Sequence, residues 1–189
     1  EMESMGFYVA KCSRSNFDST ELSLSSSLNM DYQQKLQPSL TPDKKDKLPL
    51  WAMIQNSSVQ NILKGSGYET IAFATGFPWS EWRSADQYIA PNVQFDQLNE
   101  FEVLFLDTTF MQAVQGTINY KEQEYQRYRE RTRLVFEKLP ELAKREGPQF
   151  YFVHLLDPHP PFVFNGDGSE TGISVYTNSQ GALASEVYP

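Results

Sequence analysis

Short continuous apolar runs alternate along this chain with helically spaced ones. Tyr68-Glu-Thr-Ile-Ala-Phe-Ala74 follows Gly65 and Gly67 and predicts a buried strand. Phe150-Tyr-Phe-Val153 leads into His154 and predicts another, cut off by Pro158, Pro160 and Pro161, which forbid regular helix. Phe7-Tyr-Val-Ala10, after Gly6, predicts a third, short strand. Asp18 to about Asn29 has the apolar spacing of a helix, through Leu22, Leu24 and Leu28. Asp18 with Glu21 resembles a capping box at its start, and Phe17 with Leu22 a hydrophobic staple. Ser57 or Ser58 caps a second helix through Val59, Ile62 and Leu63, which Gly65 and Gly67 stop. Asn99 to about Gln115 predicts a helix through Phe101, Leu104, Phe105 and Met111. Tyr120 to Glu146 predicts a long charged one, with Pro140 a point of interruption and its Glu and Arg pairs on a solvated face. Gln33 to Pro49 is polar, with Pro38, Pro42 and four lysines, and predicts a surface loop. Alternation of strand and helix predicts an α/β fold with a largely parallel sheet flanked by helices. The domain spans residues 1–164, and 165–189, rich in Gly, Ser, Thr and Asn, reads as loop or a poorly ordered end.

Composition narrows the picture. The chain has 189 residues, 40% of them hydrophobic and 14% aromatic, enough for one sizeable core. A net charge of -8 argues against nucleic acid or an anionic membrane surface as main partner. No run of 18 apolar residues occurs, so no membrane segment is expected in this stretch. The single cysteine, Cys12, rules out an internal disulfide and a Cys-based zinc site. The chain opens at Glu1 with no strand or N-cap at its start, and reads as a piece of a longer protein.

Three places carry candidate chemistry. Both histidines of the chain, His154 and His159, lie five residues apart just past the carboxyl end of a predicted strand, where open α/β sheets bind ligands. The plainer reading makes His154 a satisfied core histidine and His159 a turn residue. Ser19 or Thr20 falls in the first turn of the 18–29 helix, beside free N–H groups and the positive end of the macrodipole. A hydroxyl there can attack a phosphate or sulfate resting on the helix terminus once something activates it. Ordinary helix capping explains the same residues. Trp79 and Trp82, on the loop Thr75–Trp82, either line a ligand pocket or pack on the core. Cys12, near Arg14, is either a thiolate nucleophile or a buried or incidental cysteine.

Thr20-Glu-Leu-Ser-Leu-Ser-Ser-Ser27, Gly67-Tyr-Glu-Thr70 and His154…His159-Pro-Pro-Phe162 occur in this order. Together they resemble the sulfatase-like branch of the alkaline phosphatase superfamily, over roughly residues 6–164. Lipoteichoic acid synthases, phosphoglycerol transferases and lipid A phosphoethanolamine transferases are the groups most similar. The resemblance implies an incomplete alkaline-phosphatase-like fold. It implies Thr20 as nucleophile and metal ligand, and His154 and His159 facing the substrate head group or an extra zinc. A phospho-threonine would form at a Zn or Mn ion and pass to water or another hydroxyl. Substrates would be phospholipid head groups or envelope polymers, and the parent protein would be membrane-anchored with its catalytic domain outside the cytoplasm. Sulfatases that make formylglycine use Cys-x-Pro-x-Arg, whereas Cys12-Ser-Arg-Ser-Asn16 lacks the Pro and the Arg, so formylglycine chemistry is not expected. The acidic residue upstream and the Asp-His or Asp-Asn pair downstream that complete the family's metal site are also missing. The expectation is therefore a stretch that holds no metal stably and is inactive alone, within a parent that turns over. The alternative is a sulfatase-like domain without catalysis that binds a glycan or envelope polymer through Trp79 and Trp82.

Overall fold

A computed structural model of the chain describes residues 2–37, 47–92, 120–155, 157 and 162–171. Five α-helices and three strands lie in them: α1 (Thr20–Ser27), α2 (Gln33–Leu36), α3 (Leu48–Gln55), α4 (Ser58–Gly65), β1 (Glu69–Phe73), β2 (Gln87–Ile89), α5 (Tyr120–Leu142) and β3 (Gln149–Phe152). The sheet order is β2-β1-β3, and both pairings are parallel. The α/β class and the parallel sheet are as expected.

Strand periodicity explains the layering. Successive side chains of a strand point to opposite faces. Ala72 of β1 and Phe152 of β3 join Ile54 and Trp82 in one core cluster, with Phe150, Leu24 and Leu28 packed against it. Their neighbours Ile71 and Phe73 join Val135 and Leu142 of α5 on the other face, with Tyr151 and Val153 alongside. Both faces of β1 are thus covered, which is why its burial is continuous after Glu69. Val135, Leu139 and Leu142 recur at helical spacing, so α5 lays one apolar stripe on the sheet. Pro140 does not interrupt α5; it sits in the last turn. The N–H it lacks would have bonded back to Phe136, which is on the exposed side of the helix.

Local chemistry sets the element ends. The Ser57 hydroxyl caps α4 by accepting from Gln60 N at 3.3 Å. Asn29 ties three helices together: its amide donates to Ser25 O (2.8 Å) and Met53 O (3.0 Å), and its Oδ1 accepts from Ser58 N (3.0 Å). Thr70, fully buried, donates its backbone N–H and hydroxyl to Asp86 (2.9 and 2.7 Å) and accepts from Asp86 N, which pins the entry of β2 beside β1. Those Thr70 bonds hold the Asp86 carboxyl below the ordinary carboxylate range, with Lys64 adding to the effect.

Several expectations are corrected. Phe7–Ala10 is not a strand: it pairs with nothing in the described sheet, and Phe7, Tyr8 and Val9 are 56%, 93% and 40% exposed. An apolar run becomes a strand only with an edge to join and a face to bury. The stretch 33–49 is not wholly loop, because α2 occupies its start and α3 begins at Leu48, with Pro49 in the first turn where its missing N–H costs nothing. The N-cap of α1 is Ser19, not Asp18. Phe17 lies edge-on to Tyr32 at 6.4 Å. The helix expected at 99–115 lies outside the described residues, as do 172–189. Residues 165–171 form a turn closed by an antiparallel bridge, Phe164 to Glu170.

Candidate functional site

The carboxyl ends of β1 and β3 open on the same side, because the two strands are parallel neighbours. Chain leaving β1 forms the 74–82 loop, and chain leaving β3 carries His154.

A buried carboxylate organises the loop. Glu81 Oε1 accepts from Gly76 N (2.9 Å); Oε2 accepts from Thr75 N (3.3 Å) and from the Tyr88 hydroxyl (2.6 Å). Three donors on one carboxylate compensate its burial. Gly76 has φ +82, and a Cβ there would lie 2.5 Å from Cζ of Arg131, a residue that is itself buried and whose guanidinium stands 4.6 Å from the Tyr128 ring centroid. Gly76→Ala is therefore expected to cost about 1–3 kcal/mol, from the left-handed backbone and the displaced guanidinium together. An unchanged urea midpoint would mean that the loop relaxes freely.

Trp82 is completely buried and stacks on Phe152 at 4.4 Å, with 7° between the ring planes. It packs the core and is out of reach of a glycan. Trp79 is half-buried, and its ring meets His154 edge-on at 5.8 Å.

His154 is not a satisfied core histidine. Its Nδ1 is buried and without a hydrogen-bond partner. Burial also pushes its pKa below the ordinary 6.5, so the neutral imidazole is the favoured form. As pH falls, the unfolded chain takes up that proton first. The stability tied to neutral His154 is thus complete above about 6.5 and is lost as pH drops below it. His154→Phe should flatten the decline of the urea midpoint between neutral and mildly acid pH, by less than about 1 kcal/mol because the group is only part-buried. Identical slopes in both proteins would show that burial carries no such penalty. His159 lies outside the described residues.

Thr20 is the first residue of α1 and is exposed. Ser19, the N-cap, does not cap; its hydroxyl donates to Glu21 Oε2 at 2.9 Å. Burial raises the Glu21 carboxyl, but bonds from Lys47 (2.9 Å), Ser19 and its own N–H outweigh that and hold it below its ordinary value. Of the two hydroxyls at this terminus, Thr20's is the one without a protein partner. Ser25 and Ser26, both buried, give α1 a small-residue back that lies close to α3. Leu24 and Leu28, about one and two turns past Thr20, pack on the same cluster as Trp79. His154 reaches that cluster only through Trp79, and no hydrogen bond joins it to Thr20. Cys12 is exposed, not buried, and no described histidine pairs with it.

Among the described residues, no three His, Cys, Asp or Glu side chains gather where they could hold a metal ion. Those residues do not make up a Zn or Mn site around Thr20. Nor is any described helix long and apolar enough to cross a membrane.

The interior charges carry no comparable signal in the sequence. Glu81, Arg129 and Arg131 look like surface residues, because nothing local marks them as buried. The one hint is Gly76 just past a strand, which signals a close approach of some other group.

No family model, no curated protein and no solved structure matches this chain.

Proposed function

We propose that this chain carries the nucleophile segment of a phosphoryl or phosphoglycerol transferase or hydrolase, or a sulfate-ester one, acting on cell-envelope substrates outside the cytoplasm, with Thr20 as nucleophile. The observation that supports the reading most is the start of α1. There Ser19 turns away to Glu21, and Thr20 stands exposed and unpartnered in a helical first turn. Free N–H groups at that terminus favour the oxygens of a phosphate or sulfate ester. The Thr20 Oγ–P bond forms as the bond from phosphorus to the leaving oxygen breaks, and the hydroxyl proton ends on that oxygen, which departs as the alcohol. Water or a second hydroxyl then attacks the phospho-threonine and releases Thr20. A neutral imidazole with a free nitrogen, as at His154, suits a substrate hydroxyl or a proton in transit.

The Zn or Mn ion that the resemblance implies has no ligand set among the described residues. The roles assigned here rest on the chain's own groups. The reading is tested by trapping: the protein is incubated with a slowly turned-over phosphate ester, quenched in acid and digested. A phosphate-mass adduct on Thr20 is the expected result. An adduct on Ser19, or none under conditions of turnover, overturns the assignment.

A further inference from the structure

We infer that the groove between α5 and the Phe162–Thr171 turn is a carbohydrate subsite, separate from the Thr20 terminus and from His154. A cavity of about 520 Å³ opens there, lined among others by Thr132, Arg133, Phe136, Asp157, Phe164 and Asn165. That volume suits one or two sugar rings.

The lining has the chemistry a pyranose requires. Phe136 leaves 71% of its surface exposed, on a helix whose Val135, Leu139 and Leu142 pack on the sheet. An uncovered ring of this kind offers a platform for the C–H face of a sugar. Around it stand acceptors to spare. Thr132 donates to Asp157 Oδ2 at 2.6 Å, which leaves Oδ1 without a protein partner. The Asn165 amide nitrogen donates to Ser169 Oγ (2.9 Å) and Glu170 O (3.2 Å), which leaves the Asn165 carbonyl oxygen open. Two unpaired acceptors call for hydroxyl donors. They also repel an anion, and the nearby cation does not reverse this, because Arg133 is paired with Glu170 at 2.7 Å. The ligand class is thus a neutral sugar, not a free phosphate.

The lining is preorganised. Buried Arg129 donates to Val163 O (3.1 Å) and Thr171 O (2.7 Å), and the Thr171 hydroxyl donates to Phe162 O at 2.6 Å. The Arg133 guanidinium stands 5.6 Å from the Phe164 ring centroid. A groove that is already shaped binds without a large ordering cost.

The test is an amide-resonance titration of the 189-residue chain with tri-N-acetylglucosamine and with maltotriose, with inorganic phosphate as comparison. At least one sugar should shift the amides of Thr132 to Phe136 and of Asn165, with Kd of about 1 mM for a single subsite. Phe136→Ala and Asp157→Asn should each weaken it about tenfold. The first change is at an exposed ring, and the second keeps the shape and the bond from Thr132, so neither threatens the fold. Silence with both sugars overturns the proposal. So does a response to phosphate alone, or sugar binding indifferent to both variants. No turnover enters the readout, so the result stands apart from the role of Thr20.

Discussion

With Thr20 as the proposed nucleophile, Thr20→Ala should lower turnover by at least about a thousandfold while the protein stays folded. The size follows from the proposed role. Removing the nucleophile deletes the covalent path, and what remains is binding and orientation by the groups around it. Stability should barely move, because Thr20 is exposed, has no hydrogen-bond partner, and gives way to a better helix former. Ser19→Ala is the companion variant. Its hydroxyl already serves Glu21, so its loss should cost a few-fold at most. Steady-state kinetics on the three proteins, with circular dichroism as the folding check, decides the matter. A Thr20→Ala enzyme that turns over normally ends the assignment; equal losses in both variants would point to a damaged helix terminus and not to a nucleophile.

Arg129→Ala should destabilise the chain by about 3 kcal/mol, the largest stability effect expected here. Arg129 is 1% exposed and reaches from α5 to two backbone carbonyls, Val163 O and Thr171 O, with Glu170 Oε2 at 3.7 Å from its Nη1. Truncation takes the guanidinium donor from both carbonyls, leaves Val163 O only the Thr171 N–H at 3.2 Å, and opens a space the size of the side chain. Lysine should not rescue it, because a single ammonium cannot span two separated carbonyls as the guanidinium fork does. Urea unfolding gives the global cost. Hydrogen exchange should show the 162–171 turn losing protection first, since those are the groups that Arg129 holds. A loss under about 1 kcal/mol with protection unchanged would mean that water replaces the fork. The same variant should blunt any sugar binding in the adjoining groove, whose shape depends on that turn.

The two predictions differ in how visible their residues are in the sequence. Thr20 and His154 stand out because each sits at a boundary that local chemistry writes. Ser19 and Thr20 precede a run of Leu and Ser, and His154 ends an aromatic run before the prolines. Helix α4 is equally plain, with Ser57 at one end and Gly65 and Gly67 at the other. Arg129 is hidden. It lies in a stretch of alternating Glu and Arg that has the periodicity of a solvated helix, and it is buried only because the 162–171 turn folds over it. Glu81 is hidden for the same reason, its three donors coming from the loop and from β2.

Strand β2 shows the same limit. Gln87-Tyr-Ile89 is too short and too polar to read as a strand, yet it pairs because Thr70 and Asp86 bring it into register beside β1. Phe7–Ala10 fails in the opposite direction: its residues have strand propensity, but no described edge receives them. Strand propensity reports that a segment suits a half-buried pleated surface, and only the rest of the chain decides whether such a surface is there.

Sequence alone determined what depends on near neighbours along the chain. The apolar runs of β1 and β3, the apolar stripe of α5, the Ser57 cap and the glycine stop after α4 are all written within a few residues of one another. With them came the α/β class and the placing of Thr20 and His154 at element ends. Tertiary structure decided what depends on contacts between distant segments. It set the sheet order β2-β1-β3, turned Trp82 inward, left Nδ1 of His154 unpartnered, and buried Arg129. Burial is a property of the space between elements, and a charged or aromatic residue carries no local mark of which side of that space it will occupy.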